Sequence, residues 1–459
     1  MRKSFRFRCF MTAMVLPAVV AAAASTAVFG QAATAQAASA PEMQAPKQHL
    51  HDNLGEELTG MQGREVHIFF IHGIGSDGPN VHDSLTLRQS ICAYLKDCVS
   101  PAGEQVGKYD YADQDQFAPE ADAPPLKYMG KPVWQSAEEW HAAAPFAVHY
   151  LLKRAGGGRV FVDELNWWPL IFSLKCRQIV ASDTRLTGPS EARIKTCSTR
   201  EPDATVAGRF VAYDWIREDE AQHLLTLPKR GALANRVIKQ NLSDWGFADA
   251  IMSLGPMHPL LVSGLRQLIL KSMAEPGSGV AAGESVLTPA PNQEFVIVTH
   301  SLGSYLIFSA LDVDQETPQT PLMKQTAGAF AQVMRQTSLV YFFANQVPLL
   351  ELANLDESPA DRFVSHLEVW GRLHCGYEQE QRPGAACRLP RIVALNDPSD
   401  LLTWRVPKLD TVEVQNYRVK NALHWFWLVE NPMKAHINYA SDKRAIQEML
   451  RPRAGDAER

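Results

Sequence analysis

Ser301 is the residue of this chain with the clearest capacity for chemistry. It lies in the segment 295–311, FVIVTHSLGSYLIFSAL, where an apolar β-branched run is followed by Thr-His-Ser-Leu-Gly and then by small residues at helical spacing. This order predicts a strand, a sharp turn that presents the serine hydroxyl, and a helix. A serine so placed can act as a nucleophile if a base accepts its proton, a third group orients that base, and N–H donors face the developing oxyanion.

A second motif, His-Gly-Ile-Gly at 72–75, follows the first strongly apolar segment of the chain. The main-chain N–H groups of Ile74 in this motif and of Leu302 after the serine could together form an oxyanion hole. Since both donors belong to the main chain, the identity of the side chains matters little there. The supporting motif residues are His72, Gly73 and Gly303.

The same loop also matches the dinucleotide-binding pattern Gly-x-Gly-x-x-Gly, at Gly73, Gly75 and Gly78. A dinucleotide site further needs an acidic residue at the end of a second strand about 20 residues on. Here the segment 85–98 has a helical pattern and ends in Lys-Asp-Cys. We therefore favour an oxyanion loop over a dinucleotide site.

The acid that orients the base is expected after the next-to-last strand, in the segment 391–402, RIVALNDPSDLL. Asp400 stands five residues beyond the apolar run, which leaves room for a turn that brings its carboxylate back over the edge of the sheet. Asp397 directly precedes a proline, and Asp-Pro favours turn initiation. We predict Asp400 as the acid, with Asp397 as second choice.

The base is expected last in the chain. His436 follows the final predicted strand and precedes the closing helix, which gives the order Ser301, Asp400, His436. His424 is a competitor, but it belongs to the aromatic run HWFWL, which is typical of packing. His300, beside the serine, is interpreted as a residue of the pocket wall.

These residues require a sheet whose strands end at one edge. Continuous apolar runs indicate strands that are buried on both faces, as in a parallel sheet covered by helices. Helical patterns alternate with these strands, so the fold class predicted is α/β, with a mostly parallel sheet of about six strands flanked by helices. The predicted strands are 66–71, 160–162, 295–298, 339–343, 392–395 and an edge strand at 412–419. The predicted helices include 85–95, 304–311, 322–336 and 440–450.

About 220 residues separate the first strand from the serine strand, far more than one crossover needs. The segment 100–290 is therefore predicted to be a long insertion that forms a cap. Within it the segment 260–273 is amphipathic, with Leu261, Leu265 and Leu268 on one face and Arg266 away from it. We interpret this helix as one that covers the core.

Together the motifs and their order resemble the α/β-hydrolase superfamily, of the serine esterase or lipase type, over most of the segment 41–459. The resemblance implies hydrolysis of a carboxylic ester through an acyl-enzyme on Ser301, with a small-molecule or lipid ester as substrate and with no metal or organic cofactor. Thr299 departs from the usual glycine of the serine motif. The short stretch before residue 66 further implies a reduced sheet. The alternative is a catalytically inactive hydrolase fold that serves in binding.

Residues 1–37 have the pattern of a secretory signal peptide. Four basic residues precede the apolar run 9–30, and Ala-Gln-Ala at 35–37 is a plausible cleavage site. We therefore expect a secreted or periplasmic protein. The run is also long enough to span a bilayer, so an uncleaved membrane anchor is the alternative.

Cleavage would take the sum of Lys and Arg from 45 to 41 against 50 Asp and Glu, and the net charge from −5 to −9. An acidic chain of this kind argues against a nucleic-acid partner. No polybasic run remains after cleavage, so contact with a membrane would be transient.

Export also makes the cysteines informative. Cys9 leaves with the signal peptide, and an even number of cysteines remains for an oxidising compartment, which predicts disulfides. The simplest pairing joins sequence neighbours: Cys92 with Cys98, Cys176 with Cys197, and Cys375 with Cys387. The first pair requires that the helix at 85–95 end between its two cysteines, because six residues of continuous helix span about 9 Å.

Overall fold

The structure is a computed structural model of the 459-residue chain. The described residues are 53–60, 65–73, 84–110, 127–128, 131–132, 144–155, 158–198, 200–203, 209–212, 216–255, 257–273, 289–290, 293–311, 321–350, 352, 363–421, 424–425, 429–430, 432–451 and 457–458. Residues 1–52, which contain the predicted signal peptide, lie outside this set.

A nine-stranded sheet forms the centre of the fold, in the order β15-β12-β11-β10-β9-β1-β6-β5-β2. The six strands from β12 to β6 are parallel to their neighbours, while β5 and β2 at one edge and β15 at the other pair antiparallel. The strands are β1 Glu65–Ile71, β2 Glu104–Asp110, β5 Phe146–Lys153, β6 Arg159–Asn166, β9 Gln293–His300, β10 Thr337–Phe343, β11 Arg391–Asn396, β12 Glu413–Arg418 and β15 Ala457–Glu458. Three two-stranded ribbons complete the set: β3 Lys127–Tyr128 with β4 Lys131–Pro132, β7 Arg200–Asp203 with β8 Arg209–Ala212, and β13 His424–Trp425 with β14 Val429–Glu430.

Helices lie between the strands and confirm the α/β class. Two short stretches, π1 Lys175–Val180 and π2 Lys239–Phe247, are π-helical and continuous with the α-helices beside them. The α-helices are α1 Leu54–Gly60, α2 Leu85–Leu95, α3 Trp168–Leu174, α4 Ala181–Thr187, α5 Glu191–Ser198, α6 Glu218–Thr226, α7 Leu233–Ile238, α8 Ala248–Leu254, α9 His258–Ser272, α10 Gly303–Ser309, α11 Pro321–Gln336, α12 Val347–Leu350, α13 Phe363–Gln381, α14 Pro432–Ile437 and α15 Lys443–Leu450.

Both faces of the sheet are buried, which explains the continuous apolar runs. Successive residues of β1 point to opposite faces: Phe69 packs among the side chains of α9, α10 and α11, whereas Phe70 packs among those of α1, α2 and α15. Each parallel strand therefore contributes apolar side chains to two cores, and the C-terminal ends of these strands meet at one edge.

The predicted count of about six strands is too low, and the expectation of a reduced sheet is wrong. Three strands of the main sheet, β2, β5 and β6, come from the segment 100–290, of which only β6 was expected. They extend the sheet on the side of β1 that faces away from β9. The segment 100–290 therefore supplies strands to the main sheet as well as the helices from α3 to α9.

We call the helical region from α3 to α8, residues 168–254, the cap. It has a small hydrophobic core of its own. Trp168, Phe172, Ile194 and Leu224 are buried together there. Helix α9 covers the main sheet, as interpreted from its pattern. Arg266, predicted to point away from the apolar face of this helix, is nevertheless buried. Its Nε donates a hydrogen bond to the carbonyl oxygen of Ala310 at 2.6 Å, which satisfies part of the buried guanidinium.

The three predicted disulfides are confirmed: Cys92–Cys98, Cys176–Cys197 and Cys375–Cys387. As the first pair requires, α2 ends at Leu95, and the residue that follows adopts a left-handed conformation with φ 62°. Within the described residues, no helix combines the length and the apolar character needed to traverse a bilayer.

Candidate active site

Ser301 stands at the turn between β9 and α10. Its φ of 55° is in the left-handed region, which a non-glycine residue adopts only where the surroundings impose it. The Ser301 N–H donates to the carbonyl oxygen of Phe343 at 2.7 Å, which anchors the turn to the neighbouring strand β10. The predicted strand, sharp turn and helix are therefore all present around this serine.

Two glycines allow this turn to lie close to the end of β1. A Cβ on Gly303 would stand 2.7 Å from the carbonyl oxygen of His72, and a Cβ on Gly73 would stand 2.5 Å from the Cβ of Ser301. Since neither position has room for a methyl group, only glycine permits this approach of the two loops.

The side chains of Ser301, His436 and Asp400 form a continuous hydrogen-bonded series. His436 Nε2 lies 3.0 Å from Ser301 Oγ, and His436 Nδ1 lies 3.0 Å from both carboxylate oxygens of Asp400. A carboxylate only accepts, so Nδ1 carries the proton and Nε2 is left to accept the proton of the serine hydroxyl. All three side chains are buried.

His436 is held from behind by the residue that precedes the serine. His300 Nε2 donates to the carbonyl oxygen of His436 at 2.7 Å, and the two imidazole rings lie 5.2 Å apart. Burial lowers the pKa of His300 to about 3, so this ring stays neutral and supports the main chain of His436. His300, interpreted from the sequence as a wall residue, therefore also positions His436.

Asp400 rather than Asp397 reaches His436. The carboxylate of Asp397 instead accepts the N–H groups of Ser399 at 2.9 Å and of Asn421 at 2.6 Å. The structure thus brings Asp400 to His436, whereas Asp397 forms the turn that its position before a proline favours. The competitor His424 lies in the ribbon strand β13.

Tyr439 was not identified from the sequence. Its hydroxyl lies 3.3 Å from a carboxylate oxygen of Asp400 and accepts the N–H of Asp397 at 2.6 Å, so it ties the two aspartates together. Burial, followed by the charge of Asp400, raises the pKa of this phenol above its ordinary value, which keeps the hydroxyl protonated as a donor. The spacing of three residues from His436 is the one sequence signal that could have indicated it.

His72 links the loop after β1 to the start of the cap. Its Nδ1 donates to the carbonyl oxygen of Gly73 at 2.9 Å, while its Nε2 accepts the N–H groups of Trp167 at 3.2 Å and Trp168 at 3.4 Å. Burial lowers the pKa of His72 to about 3, which keeps the ring neutral and able to accept at Nε2. The supporting residue His72 therefore fixes the loop to the cap.

Of the two predicted oxyanion donors, Leu302 lies within the described residues and Ile74 does not. Leu302 is the N-cap of α10, where N–H groups have no acceptor within the helix. Ile74 lies outside the described residues, as do Gly75 and Gly78 of the alternative dinucleotide pattern. In the part of the chain that the structure describes, no cluster of His, Cys, Asp or Glu has the arrangement of a metal site.

Comparison of the chain with protein-family models, with curated proteins and with solved structures gives no match.

Proposed function

We propose that the chain is a serine hydrolase of the α/β-hydrolase type that cleaves a carboxylic ester through an acyl-enzyme on Ser301. The observation that carries this proposal is the series Ser301–His436–Asp400, with 3.0 Å at each contact, built on a serine in a left-handed turn. A nucleophile, a base and an orienting acid are the set that acyl transfer requires. They come from three separate places in the chain: the turn after β9, the turn after β11 and helix α14.

The reaction begins with proton transfer and attack. Ser301 Oγ bonds to the carbonyl carbon of the ester as its proton moves to His436 Nε2. The imidazolium that forms is stabilised by Asp400, which holds the Nδ1 proton. The negative charge moves to the carbonyl oxygen, where the N–H groups of Leu302 and Ile74 are the proposed donors.

Collapse of this intermediate breaks the bond to the leaving alcohol, which receives the proton from His436 Nε2. Water then repeats the sequence: it gives its proton to His436, its oxygen attacks the acyl carbon, and Ser301 regains its hydrogen as the carboxylic acid leaves. No step calls for a metal or an organic cofactor.

We also propose that the protein is exported to the periplasm or the medium. Disulfide bonds occur chiefly in oxidising compartments, and the three pairs of this chain support such a location. The signal-like segment 1–37 supports cleavage, with retention as an anchor as the alternative. The mature N-terminus, read by mass spectrometry, distinguishes them, since a start near residue 38 would eliminate the anchor.

Labelling with a fluorophosphonate tests the proposal. Such a reagent forms a covalent adduct only with an activated serine, so we expect labelling of the wild type and none of Ser301→Ala. Ser309→Ala, which removes a buried hydroxyl at the far end of α10, is the matched control and should label as the wild type does.

Esters of increasing acyl length then define the substrate. Absence of both labelling and ester hydrolysis in folded wild-type protein would favour the alternative, an inactive hydrolase fold that serves in binding.

A further inference from the structure

The cap carries one long helix whose exposed side chains are largely apolar. Helices α7, π2 and α8 are continuous from Leu233 to Leu254, and we call this stretch the cap helix. Its exposed apolar residues are Leu233, Val237, Ile238, Phe247 and Ile251, with exposures between 44 and 70%. Exposed apolar side chains concentrated on one element mark a contact surface more often than isolated ones do.

The spacing of these residues places them in two rows. Leu233 and Val237 are one α-helical turn apart, as are Phe247 and Ile251. Ile238 and Phe247 are separated by the π-helical stretch, close to two of its wider turns, so Ile238 continues the row of Phe247 and Ile251. The N-terminal end of the cap helix thus exposes apolar side chains of both rows: Leu233 and Val237 of one row, and Ile238 of the other.

Cations without acidic neighbours in the sequence surround this end. The segment 227–243 contains Lys229, Arg230, Arg236 and Lys239 and no Asp or Glu. Lys239 pairs with Asp183 of α4 at 2.5 Å, which leaves three positive charges at the tip. Lys229 and Arg230 are exposed, and Arg236 is half-buried. Within the described structure, none of the three forms an ion pair.

Acidic side chains on the neighbouring elements pair with other cations and so do not neutralise the positive charge of this end. On α4, Arg185 pairs with Glu220 of α6, and on π2 the buried Asp244 pairs with Arg193 at 3.2 Å. The Arg230 N–H donates a hydrogen bond to the carbonyl oxygen of Thr187 at 2.9 Å, which brings the end of α4 close to residue 230. That end adds another exposed apolar side chain, Leu186.

We propose that the tip of the cap helix, formed by residues 229–238 and Leu186, docks on an anionic phospholipid surface. Leu233, Val237 and Ile238 enter the boundary between headgroups and acyl chains, while Lys229, Arg230 and Arg236 reach the phosphates. The remainder of the mature chain is acidic, so the tip is the end that an anionic surface attracts. The patch is not a polybasic run in the sequence, because the uncharged residues 231–235 separate Arg230 from Arg236.

A second copy of the chain fits this surface less well. In a symmetric dimer through the tip, the same three cations would face their own counterparts, and like charges across an interface disfavour association. Anionic headgroups instead supply the opposite charge together with an apolar layer.

The cap helix is connected to the candidate active site. Asp249 of α8 pairs with the buried Lys175 of π1 at 2.5 Å. Helix α3, which leads into π1, begins directly after Trp167, whose N–H donates to His72. If the proposed function holds, docking brings that site to the membrane, and the substrate class becomes esters carried by membrane lipids. Docking itself does not depend on chemistry at Ser301.

Vesicle binding by the full chain in its Ser301→Ala form tests the inference without hydrolysis. We expect co-sedimentation with vesicles of phosphatidylcholine and phosphatidylglycerol, little with phosphatidylcholine alone, and a decrease as salt is raised. The triple variant Lys229→Gln, Arg230→Gln, Arg236→Gln should bind on the order of 100-fold more weakly, since each cation near such a surface contributes about fivefold.

Two controls separate the tip from net charge and from the enzyme reaction. The triple variant Lys408→Gln, Lys443→Gln, Arg444→Gln removes the same charge from exposed positions outside the cap and should bind as the parent does. Equal binding by the tip variant and the parent, or no binding to anionic vesicles, would overturn the inference. Concentration-dependent dimers that become more stable in the tip variant would assign the surface to a second copy and would also overturn the inference. Fluorophosphonate labelling of the wild type reports on the proposed function separately.

Discussion

At the scale of single residues, the two aspartates near His436 have different tasks. Asp400 meets His436 Nδ1 at 3.0 Å, whereas Asp397 accepts two main-chain N–H groups. Asp400→Asn should lower kcat by about 10⁴-fold, because an amide can stabilise the wrong tautomer of the imidazole. The measurement is steady-state kinetics on a short-chain ester.

Asp397→Asn is the matched substitution and should act mainly on stability, with a lower melting temperature and a far smaller loss of kcat. Buried acceptors that lose a charge-assisted bond weaken the fold by about 1–3 kcal/mol. The opposite ranking, with the larger loss of kcat in Asp397→Asn, would contradict the assignment of Asp400.

Gly73 offers a second prediction at this scale. Gly73→Ala would place a methyl group 2.5 Å from the Cβ of Ser301 and displace the serine or the loop. We expect kcat/KM to fall by about 100-fold, since small displacements of reacting groups have effects of that size.

The control is Gly328→Ala on α11, where an added Cβ meets nothing within 4 Å. This exposed helical position should tolerate alanine with a slight gain in stability and unchanged kinetics. Full activity in Gly73→Ala would refute the close approach of the two loops.

At the scale of elements, two neutral histidines join the loops to their neighbours. Burial lowers the pKa of His72 and that of His300 from 6.5 to about 3. Below pH 6.5 the unfolded chain binds protons at these positions that the folded chain does not bind, so the free energy of unfolding falls as the pH falls toward 3. Each histidine should contribute a loss of about 2 kcal/mol between pH 7 and pH 5.

Chemical denaturation at the two pH values measures this effect. His300→Gln, which keeps a donor near the carbonyl oxygen of His436, should remove the part that belongs to His300. An unfolding free energy that is the same at pH 7 and pH 5 would be inconsistent with two buried neutral histidines.

The elements also differ in how far sequence could predict them. Apolar runs identified the parallel strands β1, β9, β10 and β11, because a strand buried on both faces leaves a continuous signal. The antiparallel strand β5, FAVHYLLK, was missed although it is buried, since His149 and Tyr150 interrupt its run. His149 is buried through its bond to Asp163 of β6, a pairing between strands that no local pattern reveals.

The same limit applies to the candidate site. Ser301 stands directly after β9 and Asp400 lies in the turn that follows β11, so chain order and turn chemistry predict where they lie. Tyr439 contacts a carboxylate oxygen of Asp400 at 3.3 Å, and His300 contacts the carbonyl oxygen of His436 at 2.7 Å. In both cases the partner is remote in the sequence. Those contacts depend on how the loops meet and are not encoded in spacing alone.

At the scale of the whole molecule, the cap and the sheet have separate hydrophobic cores, and the cap contains a disulfide of its own. Cys176–Cys197 closes a 21-residue segment within the cap, and such a loop contributes about 3 kcal/mol. The double variant Cys176→Ser, Cys197→Ser should raise amide hydrogen exchange in the cap helices α4 and α5 while exchange in the sheet stays near that of the wild type.

Cys375→Ser, Cys387→Ser is the corresponding control, because this disulfide lies at the end of α13, outside the cap. It should leave exchange in the cap unchanged. Equal exchange changes in the sheet and the cap for Cys176→Ser, Cys197→Ser would indicate that the two cores unfold as one unit.

The proposed function requires that Ser301 form a covalent acyl intermediate. The most direct measurement is the mass of protein and peptides after the wild type is mixed with an activated short-chain ester and quenched in acid within one turnover. We expect one acyl group on the peptide that contains Ser301, a burst of leaving alcohol equal in amount to the enzyme, and neither of these in Ser301→Ala. An acyl group on another residue, or ester cleavage that persists undiminished in Ser301→Ala, would contradict it.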